Sequence, residues 1–186
     1  RGYITFGSFN NLSKTTPEVI KVWARILKAV PKSKLLLKSS KQNQDPDFYL
    51  RLFKNEGITE DRIEYYQRLP NKIDHLELYN SIDIGLDTFL FNGATTTCEA
   101  SWMGVPVITL LGDRHVGRVG ASILTNIGLT EFIADDIEQY ITIATNMAGS
   151  PEYLQEIREG LRQKMLKSPL CDGKSFAKNI ENAYQK

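Results

Sequence analysis

Ile82-Asp83-Ile84-Gly85-Leu86-Asp87, followed shortly by Asn92-Gly93-Ala94-Thr95-Thr96-Thr97, is the stretch from which the rest of the chain can be read. An apolar strand runs into a Gly-Ala-Thr-Thr-Thr loop, and a helix from about Thr96 through Trp102 opens on that loop. The free N–H groups of such a helix start, with hydroxyls beside them, converge on one region of space and suit a phosphate. The plainer alternative is a threonine that only caps the helix, since Thr is a favoured N-cap residue.

Outward from this stretch, strands alternate with helices along the chain. A first strand covers about Tyr3 to Phe9. The helix behind it has Thr16 as N-cap, Pro17 at its first position and Glu18 in its first turn, with Val19, Ile20, Val22, Trp23, Ile26, Leu27 and Val30 as its apolar stripe. Lys34 to Lys38 is a strand, Pro46 to Asn55 a helix closed by Gly57 with Asp45 as its cap, Ile63 to Tyr66 a strand and Ile73 to Ser81 a short helix. After the fourth strand and its helix come a strand at Val105 to Leu110, a helix at about Arg118 to Asn126, and a short strand at Phe132 to Ala134. Helices at Ile137 to Met147, Pro151 to Leu166 and Gly173 to Tyr184 complete the chain, the last two parted at Ser168-Pro169.

This alternation predicts an α/β fold: a doubly wound, mostly parallel, six-stranded Rossmann-like sheet with helices on both faces. In the usual 3-2-1-4-5-6 order, the topological switch point lies between strands one and four, and ligands bind outside the carboxyl ends there. The loop after strand one, Asn10-Asn11-Leu12-Ser13-Lys14, and the Asn92 to Thr97 loop both fall at that point.

Composition narrows the classes of function. The chain has 186 residues, 41% of them hydrophobic and 24% charged, with a net charge of +1. Such near-neutrality excludes a nucleic-acid binder that works through a dense basic face. No apolar run reaches membrane-spanning length, so no membrane partner is expected. Cys98 and Cys171 are too sparse for a disulfide framework and read as reduced thiols, which with the lack of a signal peptide leads to a cytoplasmic expectation. Two histidines, His75 and His115, are too few and too far apart for a zinc site. Arg1-Gly2 runs at once into a core-like strand, as if residues 1–186 were one lobe of a longer protein.

Lys14 stands where it could bring a full charge to a diphosphate, although most lysines are solvated surface residues. Lys72 and His75 lie beyond the carboxyl end of strand three; His75 could meet a base or ribose, or simply sit at the surface. Glu99 could close a capping box with Thr96 or accept ribose hydroxyls from the crevice wall. Gly112 to Arg118 is either a further donor loop or a mobile one. GxGxxG does not follow the first strand and GxxxxGK[ST] is missing, which weighs against a dinucleotide oxidoreductase and excludes a P-loop nucleotidase. Asp45-Pro46-Asp47 is the only Asp-x-Asp, and Asp87 and Asp113 each stand alone, so no metal site is expected.

Phe9 to Lys14, Val22 to Pro31, Leu86 to Thr88, Asn92 to Thr96, Trp102 to Val107, Arg118 to Ser122 and Ser168 to Leu170, taken in this order, resemble one family over nearly the whole chain. It is the carboxyl-terminal catalytic lobe of the O-linked N-acetylglucosamine transferases, with their bacterial tetratricopeptide-repeat relatives and the plant SPINDLY-type enzymes. The resemblance implies the second lobe of a GT-B glycosyltransferase: an inverting, metal-independent transfer from a nucleotide sugar to protein Ser or Thr, with no further cofactor. It implies that Asn11 replaces a Gln near the diphosphate, and that Lys14 steadies the departing diphosphate. It further implies that Lys72 and His75 contact the nucleoside, that Ala94, Thr95 and Thr96 bind phosphate, and that Glu99 binds the ribose.

Animal enzymes carry His in place of Ala94 and a basic residue in place of Leu78, while Thr97-Cys98-Glu99 with Met103 to Pro106 is closer to the plant branch, which uses a guanosine donor. UDP-N-acetylglucosamine is the expected donor. A GDP-fucose transferase, a sugar-nucleotide epimerase lobe and a non-catalytic scaffold remain as alternatives. The protein acceptor would be bound by regions outside this chain, and the lone lobe is expected to be inactive.

Overall fold

The computed structural model describes residues 2–40 and 45–185, so Arg1, at the proposed lead-in, lies outside the described residues. Among them, six strands pair in parallel: β1 (Thr5–Ser8), β2 (Lys34–Lys38), β3 (Ile63–Tyr66), β4 (Ile84–Leu86), β5 (Val107–Leu110) and β6 (Ile133–Ala134). Their order is β3-β2-β1-β4-β5-β6, so the sheet is doubly wound and its switch point lies between β1 and β4.

Helices α1 (Pro17–Ala29), α2 (Asp47–Asn55), α3 (Lys72–Glu77), α4 (Thr95–Trp102), α5 (Val119–Asn126), α6 (Ile137–Ala148), α7 (Pro151–Lys167) and α8 (Gly173–Tyr184) fill the connections and the carboxyl-terminal part of the chain. α1 begins as its sequence dictates: the Thr16 hydroxyl accepts from the Val19 N–H, and Pro17 occupies the first turn, where its missing N–H costs nothing. α2 starts at Asp47, one residue later than expected, with Pro46 rather than Asp45 at the cap position and no side-chain cap; Asp45, one residue further out, accepts from the Asp47 N–H at 2.9 Å. Strands β1, β4 and β5 are shorter than the hydrophobic runs that announced them, because pairing ends where the chain turns into loops.

Strand alternation divides the core. Leu35 and Leu37 of β2 pack with Trp23, Ile26 and Leu27 of α1, whereas Leu36 between them joins Phe9, Tyr79, Ile82, Ala100 and Val107 beneath α4. α1 and α6 cover the first face, with the Trp23 indole N–H 3.4 Å from the Tyr140 hydroxyl. No helix among the described residues is long and apolar enough to cross a membrane.

Candidate functional site

Asp87, directly after β4, anchors the crevice at the switch point. It is buried, and its Oδ1 accepts from Asn10 Nδ2 at 3.0 Å and from the Gly93 N–H at 2.7 Å. Its Oδ2 accepts from the Thr109 hydroxyl at 2.7 Å. Burial outweighs these donors and the nearby Lys14 charge, so the carboxyl is pushed up to about 6. The backbone must come close for this to work. A Cβ on Gly93 would lie 2.6 Å from Thr96 Oγ1, and one on Gly120 would lie 2.6 Å from Asp87 Oδ2. From the opposite face of the sheet, the Tyr140 hydroxyl donates to the Asp87 carbonyl at 2.9 Å.

The network sews the two switch-point loops together. The Thr96 hydroxyl donates to Asn10 Oδ1 at 2.8 Å, and Lys14 Nζ donates to the Asn92 carbonyl at 2.8 Å. Lys14 also lies 4.0 Å from the Phe91 ring centroid. Burial lowers its pKa, and the Asp87 charge opposes that shift. With one ammonium proton committed to Asn92, two remain for a ligand. Asn92 is itself fixed: its amide donates to the Thr88 carbonyl at 2.9 Å, and its Oδ1 accepts from the Gly120 N–H at 3.3 Å.

α4 starts at Thr95, one residue before the sequence expectation, with Ala94 at the cap position and no side chain bonded there. This corrects the capping alternative: the nearest hydroxyl, on Thr96, is turned to Asn10 instead. Glu99 does not reach back to form a capping box either. Its Oε2 lies 2.9 Å from His75 Nε2. The first N–H groups of α4 therefore open toward exposed Ala94 and Thr95 with no capping side chain, beside the Lys14 ammonium. Such an end carries partial positive charge and suits an anion.

The remaining sequence-derived residues divide into two groups. His75, in the last turn of α3 rather than at its start, is half-buried against Phe9 and Tyr79, with ring centroids 5.9 and 5.5 Å away. The Tyr79 hydroxyl donates to the Thr96 carbonyl at 3.3 Å, and burial, aided by Glu99, pushes its phenol well above the usual range. Lys72 is exposed at the first position of α3 and shares with Glu99, Leu76, Cys98, Trp102 and Met165 a groove of about 290 Å³. Asn11 uses its side-chain oxygen to accept from the Ser13 N–H at 3.1 Å, closing the turn that presents Lys14.

The loop from Gly112 to Arg118 is latched by backbone bonds, Gly112 N–H to the Gly117 carbonyl at 2.7 Å and Asn92 N–H to the Val116 carbonyl at 2.8 Å. Sequence reading missed Asn10, Asp87, Asn92 and Thr109 as a unit. The one available signal was an aspartate ending an apolar strand, with a Gly six residues on. No group of three or more His, Cys, Asp or Glu among the described residues is arranged to hold a metal ion.

Known proteins match the chain over nearly its whole length. The model of glycosyl transferase family 41 matches residues 2–180. The chain is 43% identical over 186 residues to the probable UDP-N-acetylglucosamine--peptide N-acetylglucosaminyltransferase SPINDLY of Hordeum vulgare, covering 99% of this chain and 20% of that protein. It is 34% identical over 182 residues to the probable UDP-N-acetylglucosamine--peptide N-acetylglucosaminyltransferase SEC of Arabidopsis thaliana, covering 97% of this chain and 18% of that one. Among solved structures, a mutant of the Thermobaculum terrenum O-GlcNAc transferase superposes with a TM-score of 0.91 at 38% identity, over 99% of this chain and 36% of that one. The chain thus spans about a fifth of the length of the curated relatives it matches.

Proposed function

The chain belongs to glycosyl transferase family 41, and from that premise we propose that it is the donor-binding lobe of a protein O-glycosyltransferase that carries N-acetylglucosamine from UDP-N-acetylglucosamine to Ser or Thr. The observation that carries this reading is the uncapped start of α4 facing Lys14 across the switch point. In this reading the diphosphate lies against the N–H groups of Ala94, Thr95 and Thr96, with the Lys14 ammonium on its other side.

As the bond from sugar to diphosphate breaks, negative charge grows on the departing oxygen. Fixed donors that need no rearrangement stabilise that charge more than they stabilise the bound donor. Lys14 is held by Asn92 and Phe91, and the α4 amides by Asp87 and Asn10, so both sets stand ready before the ligand arrives. Asp87 has its oxygens committed to Asn10, Gly93 and Thr109, which supports a transfer without a divalent ion. His75 and Glu99 form the nucleoside side of the crevice, with Lys72 at its rim. The relatives' names support the choice of donor and of a peptide acceptor. The acceptor-side groups belong to the remainder of a longer protein, so the lobe alone binds nucleotide without turning over.

Titration of the chain with UDP tests this reading by amide chemical shifts. Perturbations are expected to centre on residues 10–14 and 92–97 and to spare α7. A map centred on α7, or no binding, overturns it.

A further inference from the structure

Lys38 ends β2 and is only 7% exposed. Lysine is rarely buried to that degree unless its charge is answered. At the other end of the same strand, Lys34 meets Glu64 at 3.0 Å. Lys38 has no such partner: among the described residues, no hydrogen bond or ion pair holds its ammonium.

Its direction follows from the pleat. Lys38 lies two residues beyond Leu36, hence on the face where Leu36 packs with Phe9, Tyr79 and Ala100. That is the face of α3 and α4, where His75 and Glu99 meet. Burial lowers the Lys38 pKa, the Glu99 charge opposes that, and the Arg68 charge adds to it. The ammonium thus senses Glu99 without being paired to it. Glu99 is four residues past the α4 start, about one turn or 6 Å along the axis from the proposed diphosphate position.

Building on the donor-site reading above, we infer that Lys38 is a further donor-binding residue, which grips the ribose of the nucleotide together with Glu99. A vicinal diol offers both halves of the needed chemistry. One hydroxyl proton goes to the Glu99 carboxylate, and a hydroxyl oxygen accepts from the Lys38 ammonium. A carboxylate and a cation left apart by the fold are joined by a group that is donor and acceptor at once. Lys14 serves the diphosphate and Lys38 the sugar of the nucleoside, one strand further from the switch point.

Calorimetric titration of the chain with UDP and with its 2′,3′-dideoxy analogue tests this. The wild-type protein is expected to bind UDP at least about tenfold more tightly than the dideoxy analogue, the usual scale for hydrogen bonds to charged groups. Lys38→Met should bring the two ligands within about threefold of each other by weakening UDP alone, and Lys38→Arg should restore part of the difference. Because the Lys38 ammonium has no protein partner among the described residues to lose and its side chain is largely buried, Lys38→Met should also melt no lower than wild type in the absence of ligand. Lys38→Gln repeats the measurement should the Met variant fail to fold. An unchanged ratio in the Met or Gln variant, or equal loss of affinity for both ligands, overturns the role of Lys38 while leaving the donor-site reading intact. Failure of the wild-type chain to bind UDP at all overturns both.

Discussion

At the β1/β4 end of the crevice, Asp87 is surrounded by three donors, Asn10 by a donor and an acceptor, and Lys14 by a carbonyl and a ring. At the β2 end, one strand away, Lys38 has no partner among the described residues, and neither has the buried Nδ1 of His75. In the proposed donor-site reading, the difference follows from which atoms would face the ligand. Around the phosphate position the ligand-facing groups are mostly backbone N–H, and backbone must be immobilised by side chains that are themselves satisfied. Around the nucleoside position the side chains are the recognising groups, and a side chain fully paired within the protein has little left to offer. In that reading one end is held fixed because its groups are paired, and the other selects because its groups are not.

Removing the centre of the complete end should have the largest effect. Asp87→Ala orphans the Asn10 amide, the Gly93 N–H and the Thr109 hydroxyl together, and about 3–5 kcal/mol of stability should be lost in urea denaturation. A loss under about 1 kcal/mol would mean that the loops are held by something else, and the contrast between the two ends would fail.

Lys14→Ala in a longer protein that retains transferase activity should lower turnover by about 10²–10³, with a much smaller change in donor affinity, because its charge acts most strongly on the departing diphosphate. A raised KM with unchanged kcat would make Lys14 a ground-state contact instead.

The third effect is on pH dependence. Asp87 holds its proton up to about 6 in the fold against an ordinary value of 3.8, so its stabilising contribution is fully present below about pH 3.8 and is lost as the pH rises through about 6. Relative to Asp87→Asn, the wild-type protein should therefore lose about 3 kcal/mol between pH 4 and pH 7, from a shift of about two pKa units. Parallel stability curves for the two proteins would show that the carboxyl titrates like an exposed one.

The smallest expected effect is none: UDP affinity measured in excess EDTA should match that measured in magnesium. A large loss restored by magnesium or manganese would give the phosphate end a missing partner and remove the sense in which it is complete.

The strands, the α1 stripe and the position of α4 were legible because each rests on local periodicity or on a turn residue close in sequence, and the strand order followed from the usual arrangement of such an alternation. The capping alternative at α4 could not be dismissed from sequence, for the opposite reason. Nothing near Thr96 says that its hydroxyl belongs to Asn10, 86 residues earlier. Asp87 looked like any strand-ending aspartate, since its meaning depends on Asn10 and Thr109, 77 residues before and 22 after it. Glu99 offered two partners by spacing alone, and only the packing of α3 against α4 brings His75 to 2.9 Å. Lys38 reads as a surface lysine until the alternation with Leu36 puts it under the α4 face.

The contacts that join β1 and its loop to β4 and its loop share one arithmetic property: Thr5 to Asp83, Asn10 to Asp87 and Lys14 to Asn92 span 78, 77 and 78 residues. As the chain is synthesised, β1, β2 and β3 can pair with one another before β4 exists, since the sheet order places β1 at the outer edge of that half. Until β4 docks, the ladder groups of β1 stand open, a template for the strand of any neighbouring chain. The closing loop is long but its entropy grows only slowly with length, so the delay is set by synthesis and search rather than by a prohibitive closure cost. The seam between β1 and β4 is thus both the proposed ligand crevice and the point where an unfinished chain is most exposed to mispairing.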